Sequence, residues 1–139
     1  MSNISFVSEA IKFNLNNKTI LKNWIKSVVT EEKKRVGEIS FVFCSDDYLL
    51  EINKQFLQHD YYTDIISFDY SEEDLLSGDL MISIDRVKEN AIEQKVDFLT
   101  ELNRVMIHGV LHLIGYNDKL PKEKNIMREK EDYYLSQRQ

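Results

Sequence analysis

Apolar residues recur along the chain in two rhythms, every second position and every third or fourth, and the switches between them predict the elements. Residues 3–7 alternate weakly and read as a first strand. From Thr19 the spacing changes. Ile20, Leu21, Trp24, Ile25, Val28 and Val29 share one helical face, which predicts a helix over 18–35 ending near Gly37, a residue suited to a left-handed cap. The β-branched and aromatic run 38–44 reads as a second strand. Ser45-Asp46-Asp47 then offers a helix N-cap before Tyr48, Leu49, Ile52, Phe56 and Leu57, again at helical spacing.

Strands are expected at 63–70 and at 78–84, the second opened by Gly78-Asp79, joined across the acidic loop 71–77 and able to pair as a hairpin. Helices follow at 85–95, 97–114 and 121–135, the last with Pro121 near its first position. This order predicts an α+β (mixed α/β) fold: one small mixed sheet of about four strands, with helices packed mainly on one face. At 139 residues with no linker, repeat or low-complexity tract, the whole of 1–139 is expected to be one domain.

Composition narrows the classes. With 42% hydrophobic and 30% charged residues, four Gly and one Pro, disordered and fibrous readings fail. Cys44 is alone, so no internal disulfide forms and a reducing, cytoplasmic setting is expected. The N-terminus has no basic start followed by an apolar stretch, and no segment approaches a bilayer span, so no membrane partner is expected. The net charge is -6, which sets any nucleic-acid reading on a local site rather than on the whole surface. One such local feature is the basic face Lys18, Lys22 and Lys26, continued by Lys33, Lys34 and Arg35.

The chemistry concentrates in one helix. Of three histidines, His108 and His112 stand four apart, so on a helix both imidazoles face one point. Their helix carries Leu99, Leu102, Val105, Met106, Val110, Leu111, Leu113 and Ile114, apolar nearly all round and expected to be buried. Glu101, Arg104, His108 and His112 form its polar stripe. Two facing histidines in a core are either packed polar residues or a ligand pair, and without a shared partner they are costly to bury. Gly115 can end the helix and turn the chain through Tyr116-Asn117, bringing Asp118 in as a third ligand and leaving a fourth position for water. Gly109 stands where the His-Glu-x-x-His proteases carry their general base, which weakens a peptidase reading. A glycine in a helix interior also signals a close approach by a neighbour.

The stretch His108-Gly109-Val110-Leu111-His112-Leu113-Ile114-Gly115-Tyr116-Asn117-Asp118 resembles the signature of the YbeY family, metal-dependent endoribonucleases of ribosomal RNA maturation, whose pattern is His-Gly-x-x-His-Leu-x-Gly-Tyr-Asp-His. The resemblance extends through Ile52-Asn53 to Asp60, Thr63-Asp64-Ile65-Ile66-Ser67-Phe68, Gly78-Asp79-Leu80, and Met127 with Glu131. It implies one divalent ion, Zn²⁺ or else Ni²⁺, on His108, His112 and Asp118. It further implies hydrolysis of RNA phosphodiesters by a metal-activated water. The expected setting is maturation of the small-subunit ribosomal RNA 3′ end and ribosome quality control, with ribosomal RNA and the ribosomal subunit as partners.

Two positions depart from the family. Asp118 stands where the third ligand is usually His, and aspartate also ligates zinc while leaving bound water less acidic. Leu57 follows Phe56 where many members carry an arginine, whose role does not transfer to a leucine. Asp79, Asp64 and Glu101 are candidates to orient a ligand imidazole, and His59 to touch substrate. Two alternatives stay open: a non-catalytic ribosome-assembly factor whose metal staples the C-terminal helices, and a different metal-dependent hydrolase.

Overall fold

The computed structural model describes residues 3–138; residues 1, 2 and 139, the ends of the expected domain, lie outside the described residues. The chain runs β1 (Asn3–Glu9), α1 (Lys18–Glu31), β2 (Arg35–Cys44), α2 (Asp46–Leu57), β3 (Ile65–Asp69), β4 (Leu75–Ser83), α3 (Ile84–Gln94), α4 (Phe98–Ile114) and α5 (Pro121–Ser136). The strands form a four-stranded sheet in the order β1-β2-β4-β3. β1, β2 and β4 are parallel, and β3 runs antiparallel along the edge of β4. The α+β architecture is the one the hydrophobic pattern predicts.

The two faces of the sheet are unequal, and strand alternation explains why. Ile39, Phe41 and Phe43 of β2 and Leu76, Leu80 and Ile82 of β4 point into the main core with α1, α3, α4 and α5. Val42, Cys44, Ile66, Met81 and Phe68 point the other way, into a small cluster closed by Leu49, Tyr48 and Ile52 of α2. A half-buried sheet of this kind places one apolar helix, α4, against its broad face, with α5 lying along α4. The Trp24 indole N–H donates to the Tyr134 carbonyl at 2.9 Å and ties α1 to α5. No helix of the described residues is long and apolar enough to cross a membrane.

Several boundaries differ from expectation. α1 stops at Glu31, and the left-handed turn is made by Lys33 (φ 62) rather than by Gly37. Gly37 instead lies inside β2 at a register shift, where a Cβ would stand 2.3 Å from Ser77 Oγ and 2.9 Å from the Leu76 carbonyl oxygen. It is needed for close approach of two strands, not for a helix cap. β4 begins at Leu75, so the last three residues of the expected acidic loop are strand while Glu72, Glu73 and Asp74 stay in the turn. The Arg35 N–H donating to the Asp74 carbonyl at 2.8 Å extends the pairing that starts it. Leu99, expected inside, is 56% exposed on the first turn of α4. Ser45 does cap α2, its hydroxyl accepting from the Tyr48 N–H at 3.2 Å.

Candidate metal centre

α4 positions the site because it is buried on almost every side. Leu102, Val105, Met106, Ile107, Val110 and Leu111 anchor it in the core. Gly109 lets it close on the sheet, since a Cβ there would stand 2.8 Å from Ile65 Cδ1 and 3.1 Å from both Leu80 methyl groups. The expected close approach is therefore made by the side chains of β3 and β4. At its end Gly115 takes φ 127, and its N–H donates to the Leu111 and His112 carbonyls. That conformation favours glycine and reverses the chain within a few residues, which carries Asp118 back over the helix.

Three ligand-type atoms meet there. His108 Nε2 and His112 Nε2 lie 3.1 Å apart, and Asp118 Oδ2 is 3.1 Å from the first and 3.3 Å from the second. Ligands at 2.0–2.1 Å from a tetrahedral ion stand about 3.3 Å from one another. The donor set is therefore of the size a zinc-like ion requires, and this group of three could hold a metal ion. Two bare imidazole nitrogens and a carboxylate oxygen at such separations repel unless a proton or a cation lies among them.

The other side of His108 is equally defined. Its Nδ1 stands 2.6 Å from Glu131 Oε2, while Glu131 Oε1 accepts from Arg104 Nη1 at 2.9 Å. Arg104 also donates to Asp132 at 2.8 Å. A ligand histidine whose second nitrogen is held by a carboxylate is fixed in ring orientation and tautomer. Burial opposes charge on His108, but the hydrogen bond to Glu131 and the carboxylates of Glu131, Asp118 and Asp64 outweigh it and raise its proton affinity.

A sequence-family profile described as Endoribonuclease YbeY matches residues 3–139. The chain belongs to the YbeY family. A protein of Flavobacterium psychrophilum named Endoribonuclease YbeY is 55% identical, the match covering 95% of this chain and 94% of that one. Its namesake in Phocaeicola vulgatus is 52% identical, with 96% of each chain covered. Among solved structures, the solution structure of TM1509 from Thermotoga maritima is similar, with a TM-score of 0.69 and 30% identity over 96% of this chain and 87% of that one.

Beyond the YbeY signature, the candidates separate by position. Asp64 lines the cavities on both sides of the cluster and accepts from the Asn90 amide at 3.2 Å. Burial pushes its carboxyl up, partly offset by His108 and by backbone N–H groups. Glu101 is buried, with Oε1 unpartnered, lines one cavity, and is likewise pushed up by burial. His59 lines the other cavity, its Nδ1 2.9 Å from the Tyr61 hydroxyl, and Leu57 lies on the same wall.

Asp79 is not brought to the cluster. Its neighbour Leu80 faces α4, so strand alternation turns Asp79 to the opposite side of the sheet, where it accepts from the Tyr70 hydroxyl at 3.3 Å. Lys18, Lys22 and Lys26 line neither cavity beside the cluster. Cys44 is buried, its thiol pushed up to about 12 by burial and then by Asp46 and Asp85, which makes it a poor nucleophile. Sequence reasoning passed over Glu131 as a site residue. The signal was available: Met127, Glu131 and Tyr134 form the buried stripe of α5, and a carboxylate in such a stripe needs a partner.

Proposed function

We propose that residues 1–139 form a single metal-dependent hydrolase domain, an endoribonuclease that hydrolyses RNA phosphodiesters at an ion on His108, His112 and Asp118. Zinc is the ion the donor set favours, and nickel is accommodated by the same nitrogens. The substrate is ribosomal RNA, single-stranded or structured, in maturation of the small-subunit 3′ end and in ribosome quality control, and the setting is cytoplasmic. The observation that carries this reading is the convergence of two imidazole nitrogens and one carboxylate oxygen between 3.1 and 3.3 Å of one another, beside open cavities. The name Endoribonuclease YbeY, borne by relatives 55% and 52% identical, supplies the reaction class.

When bound, such an ion polarises a phosphoryl oxygen and lowers the pKa of water toward neutrality. The chain does the rest by placement. Glu131 holds the His108 ring, Arg104 holds Glu131, and the Gly115 turn delivers Asp118. The α4 core keeps the imidazoles from swinging away. Asp64 and Glu101 orient groups around the cluster, and His59 meets substrate from the facing wall.

The experiment is metal content per chain by elemental mass spectrometry, on wild type and on Asp118→Ala prepared identically, followed by RNA cleavage with and without chelator. The reading expects near-stoichiometric zinc or nickel in wild type, a marked loss in the variant, and cleavage that chelation stops. A wild type that takes up no metal after reconstitution sinks it. Stoichiometric metal without any RNA turnover replaces the enzyme with an assembly factor.

A further inference from the structure

An acidic protein that cleaves a polyanion must hold it somewhere in particular. Two cavities, of about 390 and 590 Å³, flank the candidate metal centre and share part of its wall, since Asp64, His108 and Asp118 line both. A blind pocket would admit one end of a strand. Openings on either side of one ligand cluster suit a strand that enters by one and leaves by the other, as internal cleavage requires.

Arg104 lines the smaller cavity but is paired with Glu131 and Asp132, and the other cations on those walls come from one short segment. Lys119 lines the larger cavity, and Lys124 and Arg128 line the smaller. Among the described residues none of the three has an ion-pair partner, whereas Arg35, Lys54, Arg86, Arg104 and Lys130 are all paired. Lys124 and Arg128 are four apart on α5 and so share a face, one helical turn from each other. Of the carboxylates on those walls, Glu131 is paired with Arg104, Asp64 accepts from Asn90, Asp69 accepts from the Ser71 N–H, Asp118 belongs to the ligand cluster, and Glu101 is buried within reach of the Arg128 charge. α5 begins at Pro121 between Lys119 and Lys124, so the positive end of its dipole adds to the same local field.

Building on the endoribonuclease reading, we infer that Lys119, Lys124 and Arg128 form the phosphate track for single-stranded RNA across the candidate metal centre. The two α5 cations take phosphates on one side of the scissile bond, and Lys119 takes one on the other. The basic face of α1, the feature most conspicuous in the sequence, is not part of this track.

The test is binding of a short fluorescent single-stranded RNA to the full chain by anisotropy at several salt concentrations, with the RNA checked intact by gel. The proteins are wild type, Lys119→Gln, the double variant Lys124→Gln/Arg128→Gln, and the double variant Lys22→Gln/Lys26→Gln, matched in metal content and thermal midpoint. Each phosphate contact contributes about 0.7 to the slope of log affinity against log salt for a single strand. The α5 pair should therefore flatten the slope by about 1.4 and Lys119→Gln by about 0.7, with the α1 pair unchanged. A wild type that binds RNA while the α5 pair keeps its slope overturns this inference alone, as does a loss confined to the α1 pair. A wild type that binds no RNA overturns the endoribonuclease reading together with it.

Discussion

Glu32, at the end of α1, and Glu131, on α5, are both carboxylates with little exposure, 11% and 6% of the side chain, and both gather several donors. Glu32 accepts from the Tyr116 hydroxyl at 2.7 Å, from Lys130 Nζ at 3.1 Å and from the Tyr134 hydroxyl. Lys130 also sits 5.5 Å from the centre of the Tyr116 ring, so the donors close on one another. Glu131 instead accepts from Arg104 with one oxygen and meets His108 Nδ1 with the other, and the far nitrogen of that ring faces His112 and Asp118 beside two cavities. A network that ends on itself fastens elements together. One that ends on an atom with a place still to fill is built for a ligand. Burial and hydrogen-bond number alone do not separate the two; the far end of the chain of contacts does.

Replacing Glu131 tests that distinction most strongly. Glu131→Gln removes the charge that orients His108 while keeping the side-chain shape. Losing such an outer partner costs a ligand site about 10- to 100-fold in metal affinity. Titration of zinc-free protein against a competing chelator should show that loss, while Glu32→Gln should match wild type. If Glu131→Gln binds metal normally, the two carboxylates are equivalent and Glu131 is only a fastener.

The sequence exposes one half of this comparison better than the other. His108, His112, Gly115 and Asp118 fall within eleven residues, so a helical repeat and a glycine stop suffice to bring them together. Glu131 reaches His108 across 23 residues, and that contact depends on how α5 lies along α4. The Glu32 cluster spans 84 to 102 residues and leaves no local trace. The same limit explains the errors at strand ends. Gly37 looks like a helix cap until the close approach of Ser77 is known, and Lys33 makes the left-handed turn despite its side chain. Asp79 lies in a family-like stretch, yet a one-residue alternation sends it to the wrong face of the sheet for the cluster. Spacing carries local chemistry; packing decides which distant residues complete it.

Glu32 should matter for stability instead. Glu32→Gln weakens three hydrogen bonds to a charged acceptor, a cost on the order of 2 kcal/mol by urea unfolding of metal-free protein. The pH dependence has a definite sign. Burial pushes the Glu32 carboxyl up, but hydrogen bonds from Tyr134, Tyr116 and Lys130, with the Lys130 charge, together hold it below its ordinary 4.5. A depressed carboxyl stabilises fully above the unfolded value and loses that contribution as pH falls through the folded one. The gap in unfolding midpoint between wild type and Glu32→Gln should be full at neutral pH and narrow below about 4.5. A gap constant into strong acid would mean that the carboxylate charge plays no part in the fastening.

Tyr116 is where the two regions come nearest, since its hydroxyl serves Glu32 and its backbone lies two residues before Asp118. Tyr116→Phe deletes the hydroxyl that donates to Glu32, an oxygen with which Lys130 also pairs. About 1 kcal/mol of stability should go with it, the ordinary worth of one hydrogen bond. Metal affinity should hold, because the direction in which the chain leaves α4 is set by the Gly115 conformation and by the Gly115 and Tyr116 N–H bonds to the Leu111 carbonyl, at 3.1 and 3.0 Å. The phenol fastens the turn from outside without aiming it. A fall in metal affinity comparable to that of Glu131→Gln would show the opposite, that the Glu32 cluster reaches through the turn and holds Asp118 in place, and the separation between fastening and ligand networks would dissolve at this residue.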